Sequence, residues 1–429
     1  MSEKFLFLKK ITSVLLVRIL GALSSLIFTF FITKNLSVND AGIFFYIVTI
    51  SIVVGRLSSK GFGTSLLRFI SGFWVEKDFD AISFYLKNAL KEILIFSSFV
   101  SFVFLIFHKH IVMYLYGSEN VSLVYFFMGL AIPFIAIIFI IFPIFQAINK
   151  PLVSVILDKI LLNLILLFIF FISLAVGVKA NLFNLSIFYL VSAFIACFVG
   201  LFLLKKFIIA PHNHIKTPLA PLKKSANYIW LGLLMTTSVQ YSGQIIAGAI
   251  VEPSNLSYLY VVQRISFLIS FALIAVNYIA APKFASLFKQ KKIIELKELS
   301  MFCSRILFII AIPLCALLFF LSAEILLLFG EDYVNASYLL QVLIFGQFIN
   351  IICGPVAFLL NMTGNEKDMR NILLLTGSLS IILGFILTFH YGVLGAAIST
   401  STSLIIQNLL AAFYVRKRLG FNVFNFVNY

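Results

Sequence analysis

Carboxylates are scarce in this chain. Of its 429 residues only 16 are Asp or Glu, against 32 Lys and Arg, and the whole charged fraction is 11%. So little charge excludes a soluble domain when 62% of the residues are hydrophobic and 50 are Phe, because one core cannot hide that much apolar surface. Strand-type alternation is missing as well, which argues against barrel strands and for helices as the structures that satisfy their own backbone in lipid. Cysteine is limited to Cys197, Cys303, Cys315 and Cys353, all in apolar segments without paired or metal-ligand spacing. They read as small core hydrophobes. The loop histidines of "HKH" (His108 to His110) and "HNH" (His212 to His214) lack Cys or carboxylate partners, so no metal site is expected. No G-x-x-x-x-G-K-[ST] loop occurs, so no nucleotide site is available as an energy source. No residue takes a catalytic role, and no cofactor is expected.

Apolar runs of about 20 residues are plentiful. They predict an all-α integral membrane protein with about twelve transmembrane helices, near 12–33, 41–58, 88–107, 122–147, 152–178, 184–204, 226–251, 255–281, 301–323, 334–360, 371–390 and 392–415. The charged start "MSEKFLFLKK" resembles a signal-peptide n-region, but no small-residue cleavage site follows, so the first segment is read as a retained span. An even number of spans puts both termini on one side. That side carries 24 of the Lys and Arg residues; the other carries Lys34, Lys109 and Lys179. The positive-inside rule then makes the termini cytoplasmic. Much of the net charge of +16 is topology by this reading, and no nucleic-acid partner is needed.

A shift of 213 residues brings the two halves into register. "YGSENVSLVYFF" from Tyr116 falls on "FGEDYVNASYLL" from Phe329, so that Gly117 meets Gly330, Val121 meets Val334 and Tyr125 meets Tyr338. The amphipathic connector from Arg68 to Lys87 falls on Ala281 to Ser300. Duplicated bundles are a common plan for transporters. The expected organisation is an N-terminal six-helix bundle at 1–204, a basic, Pro-containing cytoplasmic linker at 205–224, a C-terminal six-helix bundle at 225–415 and a cytoplasmic tail at 416–429. Halves of equal topology would be related by a pseudo-two-fold axis along the membrane normal, with a central cavity between them.

Five basic residues fall inside the spans: Arg18, Arg56, Lys159, Arg264 and Arg305. Against them stand Asp158 and the end-placed Glu324. A charge at mid-membrane costs about 2.5 to 3.5 kcal/mol on insertion scales, so it faces a cavity or partner, or snorkels to the interface. Arg264 is the deepest. Arg18 reaches either the lumen or the inner headgroups, while Arg56 and Arg305 lie near cytoplasmic ends, where snorkelling and phospholipid contact compete with a cavity role. Lys159 reads as a snorkelling or anion-greeting cation, and Asp158 as a rim acid that is a candidate for ion coupling or purely structural. Polar stripes at Thr236, Gln240 and Gln244, with Gly243 and Gly248 as bending points, and at Gln347 and Asn350 either line a cavity or bind neighbouring helices. With cations in excess, a cavity here attracts anions.

Four stretches, "RILGALSSLIFTFFITKNLSVNDAGIFFY", "GFGTSLLRFISGFW", "LLNMTGNEKDMRN" and "YGVLGAAISTSTS", resemble the Wzx-type O-antigen and polysaccharide flippases of the multidrug/oligosaccharidyl-lipid/polysaccharide exporter superfamily. The last of them is weak, since close helix packing alone could demand it. The resemblance implies a transporter of the bacterial inner membrane in lipopolysaccharide biosynthesis. It would flip an undecaprenyl-diphosphate-linked oligosaccharide from the cytoplasmic to the periplasmic leaflet by alternating access. Membrane lipids, and the polymerase and chain-length regulator of the same pathway, would be its other partners. Energy would come from an ion gradient or from use of the product. A membrane polymerase or ligase acting on lipid-linked sugars is a competing reading, disfavoured by short external loops. A multidrug cation antiporter is another, disfavoured by the sign of the internal charge. A peptidoglycan-precursor flippase usually carries fourteen spans rather than twelve.

Overall fold

The computed structural model describes residues 3–117, 119–208 and 218–423; the side chains of residues 3–15, 18, 159, 206–208, 278, 279 and 282 are not described. The middle of the expected linker, with His212 to His214, and the end of the expected tail therefore lie outside the described residues.

The chain is helical throughout its described length. The first half comprises α1 (Glu3–Asn35), α2 (Val38–Ser58), α3 (Phe62–Glu76), α4 (Phe79–Tyr116), α5 (Ser122–Ala147), α6 (Pro151–Val155), a π-helical turn (Ile156–Ile160), α7 (Leu161–Ala175) and α8 (Leu182–Ile208). The second comprises α9 (Ala220–Ile250), α10 (Pro253–Phe267), α11 (Ser270–Lys289), α12 (Ile293–Phe320), α13 (Ser322–Leu327), a 3-10 turn (Glu331–Ala336), α14 (Ser337–Ile352), α15 (Val356–Met362) and α16 (Glu366–Leu419). Among the described residues seven helices are individually long and apolar enough to cross a membrane, and two bent pairs, α6 with α7 and α10 with α11, bring the number to nine. The 54-residue α16 is two helices joined across Gly392, which takes φ 56° and ψ −136°. That conformation is open mainly to glycine. With this division, the apolar Ile19–Asn35 of α1 and the 31-residue α9, the expected twelve spans are all present as helices.

The duplication is visible in the elements themselves. Helices α2 and α10, α4 and α12, α5 and α14, and α8 and the last part of α16 start at corresponding points of the 213-residue repeat, to within about two residues. Gly117 ends α4 with φ 64°, and its counterpart Gly330 follows α13 with φ 144°. Backbone turns carry the repeat where side chains have diverged.

By contact the chain forms two compact units, Thr12–Leu234 and the chain from Met235 onward together with the residues before Thr12. Helices α8 and α9 run into both ends of the expected linker, to Ile208 and from Ala220. The first unit has an apolar core built from α3, α4, α5 and α8, around Leu66, Ile82, Leu86, Ile140, Ile144 and Leu204. It also holds the first turns of α9. Ser65 Oγ donates to the Leu222 carbonyl at 3.3 Å, the Tyr85 hydroxyl to the Pro218 carbonyl at 2.8 Å, and Trp230 Nε1 to the Leu57 carbonyl at 2.9 Å. Each bond caps a backbone acceptor that would otherwise be costly to bury. The core of the second unit gathers Phe284, Leu296, Val356, Leu359, Leu360, Met369 and Val415.

The stretch "YGVLGAAISTSTS" is explained by packing. Ala396, Ala397, Ser399, Ser401 and Ser403 are buried. A Cβ on Gly243 would meet the Ala396 carbonyl oxygen at 2.8 Å, and one on Gly346 would meet the Ser401 Cβ at 2.9 Å. Helix axes approach this closely only over small residues. Gly243 therefore serves helix contact, and α9 runs unbroken from Ala220 to Ile250.

Candidate functional site

Arg264 lies in the last turn of α10, eleven residues beyond Pro253, hence about 16 Å along the helix. For a hydrocarbon layer about 30 Å thick this is near the middle. Four residues earlier on the same face stands Tyr260, buried to 5% exposure. One guanidinium nitrogen, Nη2, donates to the Tyr260 hydroxyl at 2.7 Å, and Cζ lies 4.9 Å from the centre of the ring. The i,i+4 spacing makes this geometry possible, and the ring restricts the guanidinium to one orientation.

Directly after Arg264 the helix breaks. Helices α10 and α11 meet at 43° across Leu268 and Ile269, where the sequence predicts one continuous span over 255–281. The cause is local. Leu268, Ile269 and Phe271 donate to carbonyls only three residues back, at 3.1 to 3.2 Å, and Ser266 Oγ donates to the Gln263 carbonyl at 3.0 Å. Tightened turns and serine back-bonding of this kind bend helices. Beyond the break, Ser270 Oγ donates to Gln347 Oε1 at 2.7 Å, which also accepts from Asn350 Nδ2 at 3.0 Å. Gln347 and Asn350 are thus brought together, and with Ser270 they tie α11 to α14. Among the described residues, Gln263, next to Arg264, holds a buried Nε2 without a hydrogen-bond partner, and Asn277 on α11 holds such an Oδ1. A broken helix with polar groups on both sides of the break is the kind of element from which transporters build substrate sites.

The other candidates are more dispersed. Arg56 is half-buried in the last turn of α2, where Ser59 Oγ donates to its carbonyl at 2.7 Å. Arg305 is half-buried on α12, next to the buried Ser304. On α9, Gln244 is buried, Thr236 half-buried and Gln240 exposed. The side chain of Arg18 lies outside the described residues, as does that of Lys159.

Asp158 is half-buried within the π-helical turn Ile156–Ile160, across which α6 and α7 are bent by 48°. The sequence predicts a plain α-helix here, with Asp158 and Ser154 on one face. A π-turn adds a residue to the turn and re-aims the side chains, and such turns recur at functional sites. The bend has no counterpart in the hydropathy.

Several carboxylates form ion pairs. Glu92 holds Lys223 at 2.9 Å and Lys60 at 3.6 Å, and Lys109 lies 3.5 Å from Glu119. Asp368 and Arg418 stand beyond the two stretches 371–390 and 392–415 and form a two-pronged pair at 2.6 and 3.1 Å. The Arg418 hydrogen bond holds the Asp368 carboxyl below the usual carboxylate range. Among the described residues no group of His, Cys, Asp and Glu could hold a metal ion.

Solved structures of the MOP superfamily of transporters have a similar fold. A multidrug resistance transporter of its MATE family, in an inward-facing conformation, matches with a TM-score of 0.74 at 12% identity, over 95% of this chain and 98% of that one. The lipid II flippase MurJ, in an inward closed conformation, matches with 0.74 at 18% identity, over 94% and 87%. A MOP superfamily transporter from Pyrococcus furiosus, described as having a binding pocket of reverse polarity, matches with 0.66 at 12% identity, over 96% and 95%. No family model and no curated protein matches the sequence.

Proposed function

We propose that the protein is a flippase. It carries an undecaprenyl-diphosphate-linked oligosaccharide, an O-antigen repeat unit, from the cytoplasmic to the periplasmic leaflet of the bacterial inner membrane. The observation that carries this reading is Arg264, a cation near mid-span, set against Tyr260 at the break between α10 and α11. A guanidinium is always charged and forks onto phosphate oxygens, so its natural ligand at this depth is an anion such as a diphosphate. The prenyl tail stays in lipid. The fold is shared with a lipid II flippase, and the Pyrococcus furiosus transporter supports the view that pocket polarity sorts substrates within it. Arg18, Arg56, Lys159 and Arg305 are the further candidate cations for the anionic substrate. Thr236, Gln240, Gln244, Gln347 and Asn350 supply neutral contacts for sugar hydroxyls.

A multidrug role is the second reading, favoured by the named activity of the MATE neighbour. Moving organic cations would require carboxylates in the spans, and Asp158 and Glu324 are few for that purpose. The direct test is complementation. In a strain deleted for its own O-antigen flippase the chain restores surface polysaccharide, whereas failure to do so with confirmed membrane expression contradicts the proposal.

Two further outcomes follow from the same reading. If Asp158 couples transport to a proton gradient, Asp158→Asn in vesicles flattens the pH dependence of transport; an unchanged pH profile removes Asp158 from coupling. For orientation, cysteines placed at the exposed Lys109 and Lys291 react with an impermeant maleimide from opposite sides of the membrane. The four native cysteines are buried and give little background. Labelling of both positions from one side contradicts the assigned topology.

A further inference from the structure

The first unit contains a second cationic feature, outside the spans. Between α3 and the first turns of α9 lies a cleft of about 430 Å³ lined by Arg68, Phe69, Pro221, Lys224, Ser225 and Tyr228. Its walls are fixed. Ser65 on α3 donates to the Leu222 carbonyl of α9, while Tyr85 of α4 and the Leu57 carbonyl of α2 hold the start of α9 through Pro218 and Trp230. Gly61 allows the close approach, since a Cβ there would stand 2.5 Å from the Ala226 carbonyl oxygen.

The cations of this region divide into two sets. Lys60 and Lys223 share the single carboxylate of Glu92. Arg68 and Lys224, both exposed, form no ion pair among the described residues. Helix α3 is amphipathic. Phe62, Ser65, Leu66 and Ile70 face the core, while Val75 is 80% exposed and Phe69, Phe73 and Trp74 are half-exposed. A helix with a buried face, an aromatic margin and basic residues belongs at the membrane–water boundary, where Trp and Phe sit at headgroup level. The repeat does not conserve the feature, because Ala281 and Pro282 occupy the positions of Arg68 and Phe69 in the second half.

We infer that the α3–α9 cleft binds the phosphate headgroup of an anionic phospholipid, held by Arg68 and Lys224. Tyr228 and Ser225 supply neutral donors, and the acyl chains lie along the aromatic margin of α3. The site uses none of the residues proposed for the transported substrate and requires only that the protein be embedded in a membrane, so it stands whether or not the flippase reading does.

The test is native mass spectrometry of the purified full-length protein, titrated in parallel with phosphatidylglycerol, phosphatidylcholine and inorganic phosphate. Wild-type protein retains phosphatidylglycerol in preference to the other two. The double variant Arg68→Gln/Lys224→Gln retains it roughly thirtyfold less well, which is about 2 kcal/mol at 1.4 kcal/mol per tenfold and matches two basic residues at a lipid surface. A control of equal charge, Lys289→Gln/Lys291→Gln, leaves retention unchanged. The charge-conserving variant Arg68→Lys/Lys224→Arg keeps retention within a few-fold and guards against a folding defect in the neutral variant. Equal loss in the control pair, equal retention of phosphatidylcholine, or binding of inorganic phosphate as tight as that of the lipid would each overturn the inference.

Discussion

Arg264→Ala lowers the surface polysaccharide restored to a flippase-deletion strain by at least about tenfold, at unchanged protein level. A charged side chain that binds its partner away from water costs roughly 2 to 5 kcal/mol when truncated, which exceeds a tenfold change at 1.4 kcal/mol per tenfold. The conservative variants refine the assignment. Arg264→Lys keeps the charge but loses the planar fork, so it supports intermediate transport. Tyr260→Phe removes the hydroxyl that receives Nη2 at 2.7 Å but keeps the ring beneath the cation, so its loss is smaller than that of Arg264→Ala. Wild-type polysaccharide levels in both Arg264→Ala and Arg18→Ala would end the anion-site reading.

A large effect on stability falls at Gly61. Its φ of 72° lies in the left-handed region, and a Cβ there would meet the Ala226 carbonyl oxygen at 2.5 Å and the Trp230 amide nitrogen at 2.9 Å. Both neighbours are backbone atoms of α9, which cannot turn aside as a flexible side chain would. Gly61→Val therefore combines backbone strain with steric overlap, at about 1 to 3 kcal/mol for each. The variant should melt several degrees lower than wild type in detergent and express poorly. Gly72→Ala provides the contrast, since nothing lies within 4 Å of a Cβ at that helical position. Equal melting points for Gly61→Val and wild type would mean that the α3–α9 junction is not rigid.

Hydropathy alone made the span pattern legible because each crossing needs a long apolar run and each turn needs polar punctuation. Thus α5 covers Ser122–Ala147, as the apolar run predicts, and Gly117 and Gly330 mark equivalent turns. The breaks were not legible. Helices α10 and α11 read as one apolar run, because a change from four-residue to three-residue hydrogen bonding at Leu268 leaves residue composition unaltered. The π-turn at Asp158 is hidden for the same reason. Arg264 stood out as a deep charge, but its partner Tyr260 did not, although the four-residue spacing was a usable signal. The docking of α9 onto the first unit left no pattern either, since Ser65, Tyr85 and Trp230 donate to main-chain carbonyls that any residue provides. Arg68 and Lys224 registered in the sequence only as part of the positive-inside excess; their convergence depends on that docking.

By the proposed function this fold, with a cation at its mid-span break, moves a diphosphate-linked sugar rather than an organic cation. Purified protein in proteoliposomes, given a fluorescent undecaprenyl-diphosphate-linked oligosaccharide in one leaflet, tests it directly. The sugar is expected to appear in the opposite leaflet with time, and to do so much more slowly in Arg264→Ala. No transfer of the lipid-linked sugar, combined with transport of a lipophilic cation by the same vesicles, would contradict it.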